Sequence, residues 1–346
     1  MKMEMEYDEM IQSVLDSIDE RITENIRIDE LARAVNYSSY HFCRVFMIMT
    51  GTPVMNYVIR RKLEYALYDL SQGKRIIDVA MDYGFETHSG FSKAFKRCFG
   101  FPPSLCHIHI IPKAPEKAAI SNVKLKTKSK YGGFVMTPYI TVMTPFTVAG
   151  RTLRKKLPNV SRHADIPAFC FSDLYEAESD NLLTDTSKLF SKSDAIKHCE
   201  VSMCYDVDAI AGEFTYLLGR GIFHPDDMKN ILPDMVSFEI NGLYAIFATQ
   251  PVPFDQHDHC AQIIRETWTD IFTKWLPTSE FEFDENRKDF EYYDYRDHGH
   301  YFDNKRQMDI CIPIRQRDEA RRKSQENGKI LWEREMNRRA QLDQTK

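Results

Sequence analysis

The spacing of apolar residues in the first hundred positions predicts helices. Between residues 8 and 23, apolar side chains recur every three or four positions along an acidic stretch, as a helix with one buried face requires. They are Met10, Ile11, Val14, Leu15, Ile18 and Ile22. A second amphipathic helix is predicted from Pro53 to Leu70, because proline favours the first turn of a helix and polar residues with a glycine follow Leu70.

The pattern changes after Tyr139, where strand-like runs replace helical spacing. The runs at 140–148 and 244–248 are short and apolar, which is typical of strands, whereas a helix is predicted from Gln262 to Leu276. In the predicted final strand, Ile310, Ile312 and Ile314 alternate with Cys311 and Pro313. Since proline cannot donate a ladder hydrogen bond, Pro313 indicates an edge or terminal position. We therefore predict an α+β domain in this part of the chain.

One pattern is written twice, with its two closing glycines, Gly51 and Gly100, 49 residues apart. An aromatic residue, a short polar stretch, Phe-x-x-x-Phe, four residues and glycine make up each copy. Each copy follows an apolar helical stretch that is broken at Asn36 or at Gly84. Both residue types accept the positive φ that a tight turn needs. The order helix, turn, helix, present twice, indicates two DNA-reading units on one chain.

Length and composition fit a folded protein of two or three domains. The chain has 346 residues, of which 43% are hydrophobic, and about 100 to 200 residues is usual for one domain. No run approaches the ~18 apolar residues of a transmembrane helix, and the acidic start lacks the features of a signal peptide. Eight cysteines without a C-x-x-C pair suit a reducing compartment. We predict a cytoplasmic protein without membrane association.

Charge is unevenly distributed along a chain whose formal net charge is −5. Residues 1–32 carry 3 basic and 10 acidic side chains, whereas residues 33–105 carry 10 basic and 5 acidic ones. The balance changes sign where the repeated pattern begins. Neutralisation of phosphates by Lys and Arg supplies most nonspecific affinity for DNA, so the duplicated segment has the charge that DNA binding requires.

Three motifs in the second copy are dense and closely spaced: Gly-Phe-Glu at 84–86, Phe-x-x-x-Phe-Lys at 91–96 and Phe-Gly-x-Pro-Pro at 99–103. Together with residues 37–53 of the first copy, they resemble the AraC/XylS family of bacterial transcription regulators, especially the MarA and Rob type. The resemblance implies one DNA-binding domain over residues 8–106, with both recognition helices facing one side of the duplex. Double-stranded DNA and RNA polymerase are the implied macromolecular partners.

Carried over position by position, the resemblance gives candidate DNA contacts. The base-facing candidates are Tyr40, Cys43 and Arg44 in the first copy and His88, Ser89, Ser92 and Lys93 in the second. The phosphate candidates are Arg33, Arg60, Lys74, Arg75, Lys96 and Arg97, for each of which simple solubility is the alternative. Arg44 and Lys93 can donate to guanine in the major groove. Cys43 departs from the polar reader usual at its position, and the phenylalanines are assigned to the core.

The length of the predicted helix between the two copies can be compared with the spacing of major-groove faces on DNA. At ~1.5 Å per residue it is about 26 Å long, which is shorter than the ~34 Å between successive major-groove faces of straight B-DNA. The shortfall predicts that the DNA bends if both recognition helices enter the groove together.

Residues 138–316 contain five further motifs. They are Phe-Thr-Val-Ala-Gly-Arg at 146–151, Gly242 to Phe247, Trp268 through Trp275-Leu276-Pro277, Phe290-Glu291-Tyr292-Tyr293-Asp294, and Met308 to Pro313. Their order and spacing resemble a GyrI-like effector-binding domain, the kind attached to Rob and to multidrug-sensing regulators. The implied fold is multidomain, with an all-α double helix-turn-helix N-terminal domain and an α+β GyrI-like C-terminal domain of duplicated β-α-β-β units. In several relatives an aromatic cleft accepts hydrophobic cations beside a buried carboxylate.

Glu291 is the candidate carboxylate of that cleft. Aromatic faces attract a delocalised cation, and a carboxylate in an apolar cleft compensates its charge. Strand alternation places Glu291 and Tyr293 on one face, with Tyr292 and Asp294 on the other. The candidate wall residues are Tyr293, Trp268, Trp275, Tyr216, Phe214, Phe171 and Tyr244. The alternative is that these aromatics fill the core and Glu291 faces water.

The predicted domains are a DNA-binding domain at 1–106, a linker at 107–137, an effector-binding domain at 138–316 and a charged tail at 317–346. The linker contains prolines, Gly132, Gly133 and alternating lysines that are solvated or touch phosphates. Those lysines are Lys124, Lys126, Lys128 and Lys130. The tail either forms a helix that docks on a partner subunit or is frayed and solvated.

No cofactor and no metal are predicted. His257-x-His259-Cys260 and His298-x-His300 lie in polar, loop-like stretches without the spacing of a known zinc motif, and Cys199 and Cys204 are assigned to the core.

Three functions remain open. The first is a sequence-specific transcription regulator that binds a small, hydrophobic or cationic effector and is not an enzyme. The second is a DNA-tethered GyrI-like hydrolase in which Glu291 and a tyrosine activate water on an electrophilic small molecule. The third is a DNA-bound adaptor that contacts another protein.

Overall fold

The computed structural model describes residues 2–111, 113–120, 138–156, 200–208, 211–223, 225–297 and 304–317. Phe171, the lysines at 124–130, the tail beyond residue 317, Cys199, His298 and His300 lie outside these residues. Within the described part, no single helix is long and apolar enough to cross a membrane. The helices at Ser39–Thr50 and Val54–Ser71 pass that test only as a pair, with a bend of 58° between them.

Helices make up the N-terminal half, as predicted. They are α1 at Lys2–Glu20, α2 at Ile28–Ala34, α3 at Ser39–Thr50, α4 at Val54–Ser71, α5 at Ile76–Asp82, α6 at His88–Phe99 and α7 at Cys106–His109. A 3₁₀ turn at Pro103–Leu105 precedes α7. The apolar stripe of α1 is buried, with Ile11, Leu15 and Ile18 at 0% exposure, and α1 packs against α3.

The two helix-turn-helix units, α2–α3 and α5–α6, are built in the same way. Each turn contains one residue with positive φ, Asn36 at 58° and Gly84 at 77°. The hydroxyls of Ser38 and Thr87 each accept a hydrogen bond from the backbone N–H three residues later, which caps the recognition helix. Phe42, Phe46, Phe91 and Phe95 are all at 0% exposure. The assignment of these phenylalanines to the core is therefore confirmed.

The C-terminal half contains a closed ring of antiparallel strands. Its strands are β1 at Tyr139–Lys156, β2 at Glu200–Asp208, β3 at Glu213–Ile222, β4 at Val236–Ala248, β5 at Val252–Pro253, β6 at Phe281–Phe283, β7 at Phe290–Tyr293, β8 at Lys305–Arg306 and β9 at Asp309–Gln316. The ladder runs β4-β1-β3-β2-β7-β9-β6, and an additional β4–β9 pairing closes the ring. Strands β5 and β8 form a separate two-stranded sheet.

The C-terminal half also contains one long helix. Helix α8 covers His257–Asp270 and continues through a π-helical turn at Ile271–Trp275 into a last turn at Leu276–Thr278. The succession β4, α8, β7, β9 is a β-α-β-β unit. The strands β1, β2 and β3 belong to the other predicted unit, whose residues 157–199 lie outside the described range.

The predicted start of α8 is wrong. The helix begins at His257 rather than at Gln262. Asp258 lies in its first turn, where a negative charge is favourable beside the helix N-terminus. His257 and His259 are consequently part of a helix, and the loop assigned to them is also wrong.

The edge position predicted from Pro313 is wrong as well, because β9 pairs with β4 on one side and with β7 and β6 on the other. Pro313 is opposite Tyr244 of β4. On its other side, the pairing with β7 ends at Cys311 and the pairing with β6 starts at Ile314. The proline therefore lies in the gap between two partners, where the ladder needs no N–H.

The beginning of the predicted linker is buried between the two halves. Ile110 is 7% exposed, and it belongs to the hydrophobic core that includes the helices, together with Cys106 at the end of the predicted DNA-binding domain. Ala118 is also buried there, and its carbonyl accepts a hydrogen bond from Gln12 of α1 at 2.8 Å. The described residues after α7, 110–111 and 113–120, thus pack along the helical domain.

Candidate functional site

The recognition helices α3 and α6 present most of the predicted base-facing residues to solvent. Tyr40 is 80% exposed, and Arg44, His88, Ser89 and Lys93 are also exposed. The other two are less accessible. Cys43 packs against the core, and the hydroxyl of Ser92 is buried without a hydrogen-bond partner in the described part of the chain. These two positions argue against base contacts from Cys43 and Ser92.

Most of the predicted phosphate contacts are held in ion pairs. The pairs are Arg33–Asp29 at 2.8 Å, Arg60–Glu64 at 3.3 Å, Lys74–Asp69 at 3.0 Å, Arg75–Asp78 at 2.6 Å, and Lys96–Glu285. Exposed ion pairs contribute only ~0.2–1 kcal/mol, so a phosphate can replace the carboxylate. Arg97 is exposed in the last turn of α6. Lys96 differs from the rest because its partner belongs to the C-terminal half.

Glu291 of β7 is the centre of a buried hydrogen-bond network. Its side chain accepts from Trp268 Nε1 at 2.7 Å, from Tyr293 Oη at 2.6 Å and from Ser202 Oγ at 2.8 Å. Glu291 is 7% exposed and Trp268 is 4% exposed. The predicted strand is confirmed, and so is the placement of Glu291 and Tyr293 on one face. The alternative in which Glu291 faces water is wrong.

Strand register places Phe214 and Tyr216 on the same face as Glu291. Ser202, which donates to Glu291, is opposite Leu218 of β3, and Cys204 is opposite Tyr216. Side chains on one strand alternate between faces, so Phe214, Tyr216 and Leu218 share the face of Ser202. These three residues form one buried cluster. The structure thus brings Trp268 and Tyr293 into contact with Glu291, and it places Phe214 and Tyr216 on the same face of the sheet.

Two predicted wall residues lie elsewhere. Tyr244 is buried at 0% exposure in the cluster inside the strand ring, together with Val201, Met203 and Phe290. Val201 and Met203 flank Ser202 in β2, so this cluster lies on the opposite face of the sheet, and the assignment of Tyr244 to the cleft is wrong. Trp275 packs against Phe247 and Phe281 instead. Phe171 lies outside the described residues.

The electrostatics around Glu291 keep Tyr293 neutral and reveal a second acid, Asp297. Burial, and then the negative charge of Glu291, raises the pKa of Tyr293 well above its usual value, so Tyr293 remains a hydrogen-bond donor. Burial raises the pKa of Asp297 to about 6, although Arg306 at 3.2 Å opposes the shift. Sequence reasoning missed Ser202 and Asp297. The register of β2 against β7 could have indicated Ser202, but nothing local marks Asp297.

Comparisons with known proteins match the two halves separately. Residues 31–105 match a family described as "Helix-turn-helix domain", and residues 140–314, just over half of the chain, match "Integron-associated effector binding protein". Regulatory protein SoxS of Salmonella typhimurium is 34% identical over 101 residues, which are 29% of this chain and 94% of SoxS. The HTH-type transcriptional activator AarP of Providencia stuartii is 32% identical over 97 residues, which are 28% of this chain and 72% of AarP.

Among solved structures, SAV2435 bound to tetraphenylphosphonium aligns with a TM-score of 0.35 and 14% identity, covering 52% of this chain and 94% of that chain. The two family matches agree with the helical and strand-ring halves of the fold, and SoxS is matched over nearly its whole length. The chain therefore belongs to the AraC-type helix-turn-helix transcription regulators related to SoxS and MarA, and it carries a C-terminal GyrI-like domain of the integron-associated effector-binding family.

Proposed function

We propose that this regulator reads a specific DNA sequence through both helix-turn-helix units and responds to a small hydrophobic cation bound beside Glu291. One observation carries the effector proposal. Within the described residues, the buried carboxylate of Glu291 is held by three neutral donors, and no basic side chain forms an ion pair with it. The site has a negative charge that its own residues do not neutralise.

The physical chemistry of that arrangement selects the ligand class. Burial of an isolated carboxylate is costly unless a hydrogen-bonded or charged partner compensates it, and three hydrogen bonds offset only part of the cost. A delocalised cation provides the missing charge while it covers aromatic faces. Trp268, which bonds Glu291, supplies such a face, and Tyr216 and Phe214 lie on the same face of the sheet. A neutral or anionic ligand would leave the charge of Glu291 uncompensated.

The hydrolase alternative is less well supported by the chemistry of Tyr293. A general base must be deprotonated at the working pH, whereas burial raises the pKa of Tyr293 well above its usual value. Glu291, the other candidate base, already accepts hydrogen bonds on both carboxylate oxygens from Trp268, Tyr293 and Ser202. Incubation of the full chain with tetraphenylphosphonium and with electrophilic esters and epoxides separates the functions. Saturable binding without turnover supports the sensor, and consumption of an electrophile supports the hydrolase. The absence of both binding and turnover supports the adaptor.

Base and phosphate contacts are distinguishable by mutation in full-length protein. Arg44→Ala is expected to reduce the ratio of specific to nonspecific affinity by about 10- to 100-fold, because a good base contact contributes ~1–3 kcal/mol of discrimination. Arg97→Ala should weaken binding to all duplexes and flatten the salt dependence by about one unit. The measurement is fluorescence anisotropy with a duplex selected from random sequences and a scrambled duplex. Equal losses on both duplexes for Arg44→Ala would refute its assignment.

We also propose RNA polymerase as a partner and the cytoplasm as the location of this regulator. SoxS and AarP, the matched relatives, are named as a regulatory protein and a transcriptional activator, and regulators of this kind act where the bacterial chromosome is transcribed. Co-purification of polymerase with the DNA-bound chain, dependent on the selected duplex, tests the partner.

A further inference from the structure

The short helix α7 connects the DNA-binding half to the face that carries Glu291. It follows the second helix-turn-helix unit after one 3₁₀ turn, and its residues divide between the two halves. Cys106 belongs to the core shared with the helices. Ile108 belongs to a different cluster, in which it packs with Phe214, Tyr216 and Leu218. The apolar wall proposed for the effector is therefore covered by a residue from α7.

His109 covers one face of Trp268, a second surface that an effector would contact. Its ring stacks on Trp268 with a centroid distance of 3.9 Å and an interplanar angle of 15°. Trp268 is the same residue that donates its indole N–H to Glu291. Since a cation binds tryptophan over the face of the ring, the stacked imidazole covers a face that a bound cation would contact.

Polar contacts fix α7 in this position. His109 Nε2 lies 2.8 Å from Asp289 Oδ2, two residues before Glu291. The backbone N–H of Ile111 donates to Thr269 Oγ1 of α8 at 3.0 Å. Ile108 and His109 are 6% and 7% exposed. The segment is thus docked by ring stacking, a close contact between His109 and Asp289, and a backbone hydrogen bond.

We propose that α7 is an internal competitor for the effector: Ile108 and His109 occupy the aromatic cleft of the effector-binding domain, and a hydrophobic cation must displace them to reach Glu291. This inference rests on the proposed function of the cleft. Because α7 is continuous with the second helix-turn-helix unit, its release changes how that unit is held against the C-terminal half. Effector binding is then coupled to DNA binding by thermodynamic linkage.

Two substitutions are expected to weaken the docking of α7 while Glu291 is left unchanged. Ile108→Ala removes the apolar contact, and His109→Gln removes the stacked ring while it keeps a donor for Asp289. A ligand that binds only the open state has its affinity reduced in proportion to the open fraction. Each variant should therefore bind tetraphenylphosphonium more tightly, by up to about tenfold if α7 is docked nine-tenths of the time in the wild type. Glu285→Gln is the matched control, because it breaks the Lys96 ion pair between the same halves away from the cleft.

Isothermal titration calorimetry of the full chain and its variants measures the affinity, and thermal unfolding verifies that each variant is folded. Hydrogen exchange of residues 106–111 gives an independent readout, and their protection should fall when the wild-type chain is saturated with tetraphenylphosphonium. If the wild type binds the ion but neither variant gains affinity and protection is unchanged, the competitor proposal is overturned while the effector proposal stands. If no chain binds the ion, the proposed cation site is wrong and the competitor falls with it.

Discussion

Glu291→Gln is expected to weaken binding of tetraphenylphosphonium to the full chain by roughly 100-fold, while binding of the neutral triphenylphosphine oxide changes by less than about threefold. Glutamine keeps the shape of the side chain and one acceptor oxygen, which can still accept from Trp268. Its NH2 group then replaces the oxygen that accepts from Tyr293 and Ser202, and these hydroxyls can turn to accept from it. The change therefore removes mainly the charge. Loss of one member of a buried charge pair costs ~2–5 kcal/mol, and ~1.4 kcal/mol corresponds to a tenfold change in affinity. Isothermal titration calorimetry measures both ligands.

Glu282→Gln provides the control for this prediction. Glu282 is equally buried at 7% exposure, but it lies on β6 and pairs with Arg315 at 2.9 Å, away from the cleft. Glu282→Gln should therefore leave the affinity for tetraphenylphosphonium unchanged. An equal loss for the cation and the neutral compound in Glu291→Gln would mean that Glu291 only shapes the cleft.

Arg61→Ala is expected to destabilise the helical half by about 3–5 kcal/mol, the cost of leaving a buried ion pair with one partner. The guanidinium bonds Asp19 of α1 through two hydrogen bonds, at 2.7 and 2.8 Å, and Glu64 at 2.8 Å. The side chains of Arg61 and Asp19 are only 8% and 7% exposed. Burial lowers the pKa of Arg61, but the hydrogen bonds to Asp19 and Glu64 outweigh that effect and raise it. Urea unfolding followed by circular dichroism gives the free-energy change.

The neighbouring arginine is the control on the same helix. The Arg60 side chain is 58% exposed and forms an ion pair with Glu64 at 3.3 Å, so Arg60→Ala should cost less than about 1 kcal/mol. Comparable losses in Arg60→Ala and Arg61→Ala would show that the buried pair with Asp19 does not hold α1 against α4.

The parts of the fold that sequence predicted well are those encoded by local pattern. The duplicated Phe-x-x-x-Phe spacing identified both helix-turn-helix units, and the positive φ of Asn36 and Gly84 follows from residue type. Strand alternation placed Glu291 and Tyr293 on one face, which their 2.6 Å hydrogen bond confirms. Each of these depends on the conformations of a few consecutive residues.

The errors concern pairings between distant segments. Pro313 was assigned to an edge because the sequence does not show that β9 changes partners from β7 to β6 beside it. Tyr244 was assigned to the cleft because composition does not reveal which face of a closed ring it occupies. The stacking of His109 on Trp268 joins residues 159 positions apart. Nothing in the local sequence around His109, which lies in the predicted linker, indicates this contact.

Selection of duplexes from a random pool by the full-length chain tests the central claim, that two helix-turn-helix units on one chain read DNA sequence together. We expect an asymmetric site with two contact blocks about one helical turn, ~10 base pairs, apart, bound at least about 1,000-fold more tightly than a scrambled duplex. Recovery of a single short block, or no preference over scrambled DNA at moderate salt, would contradict it.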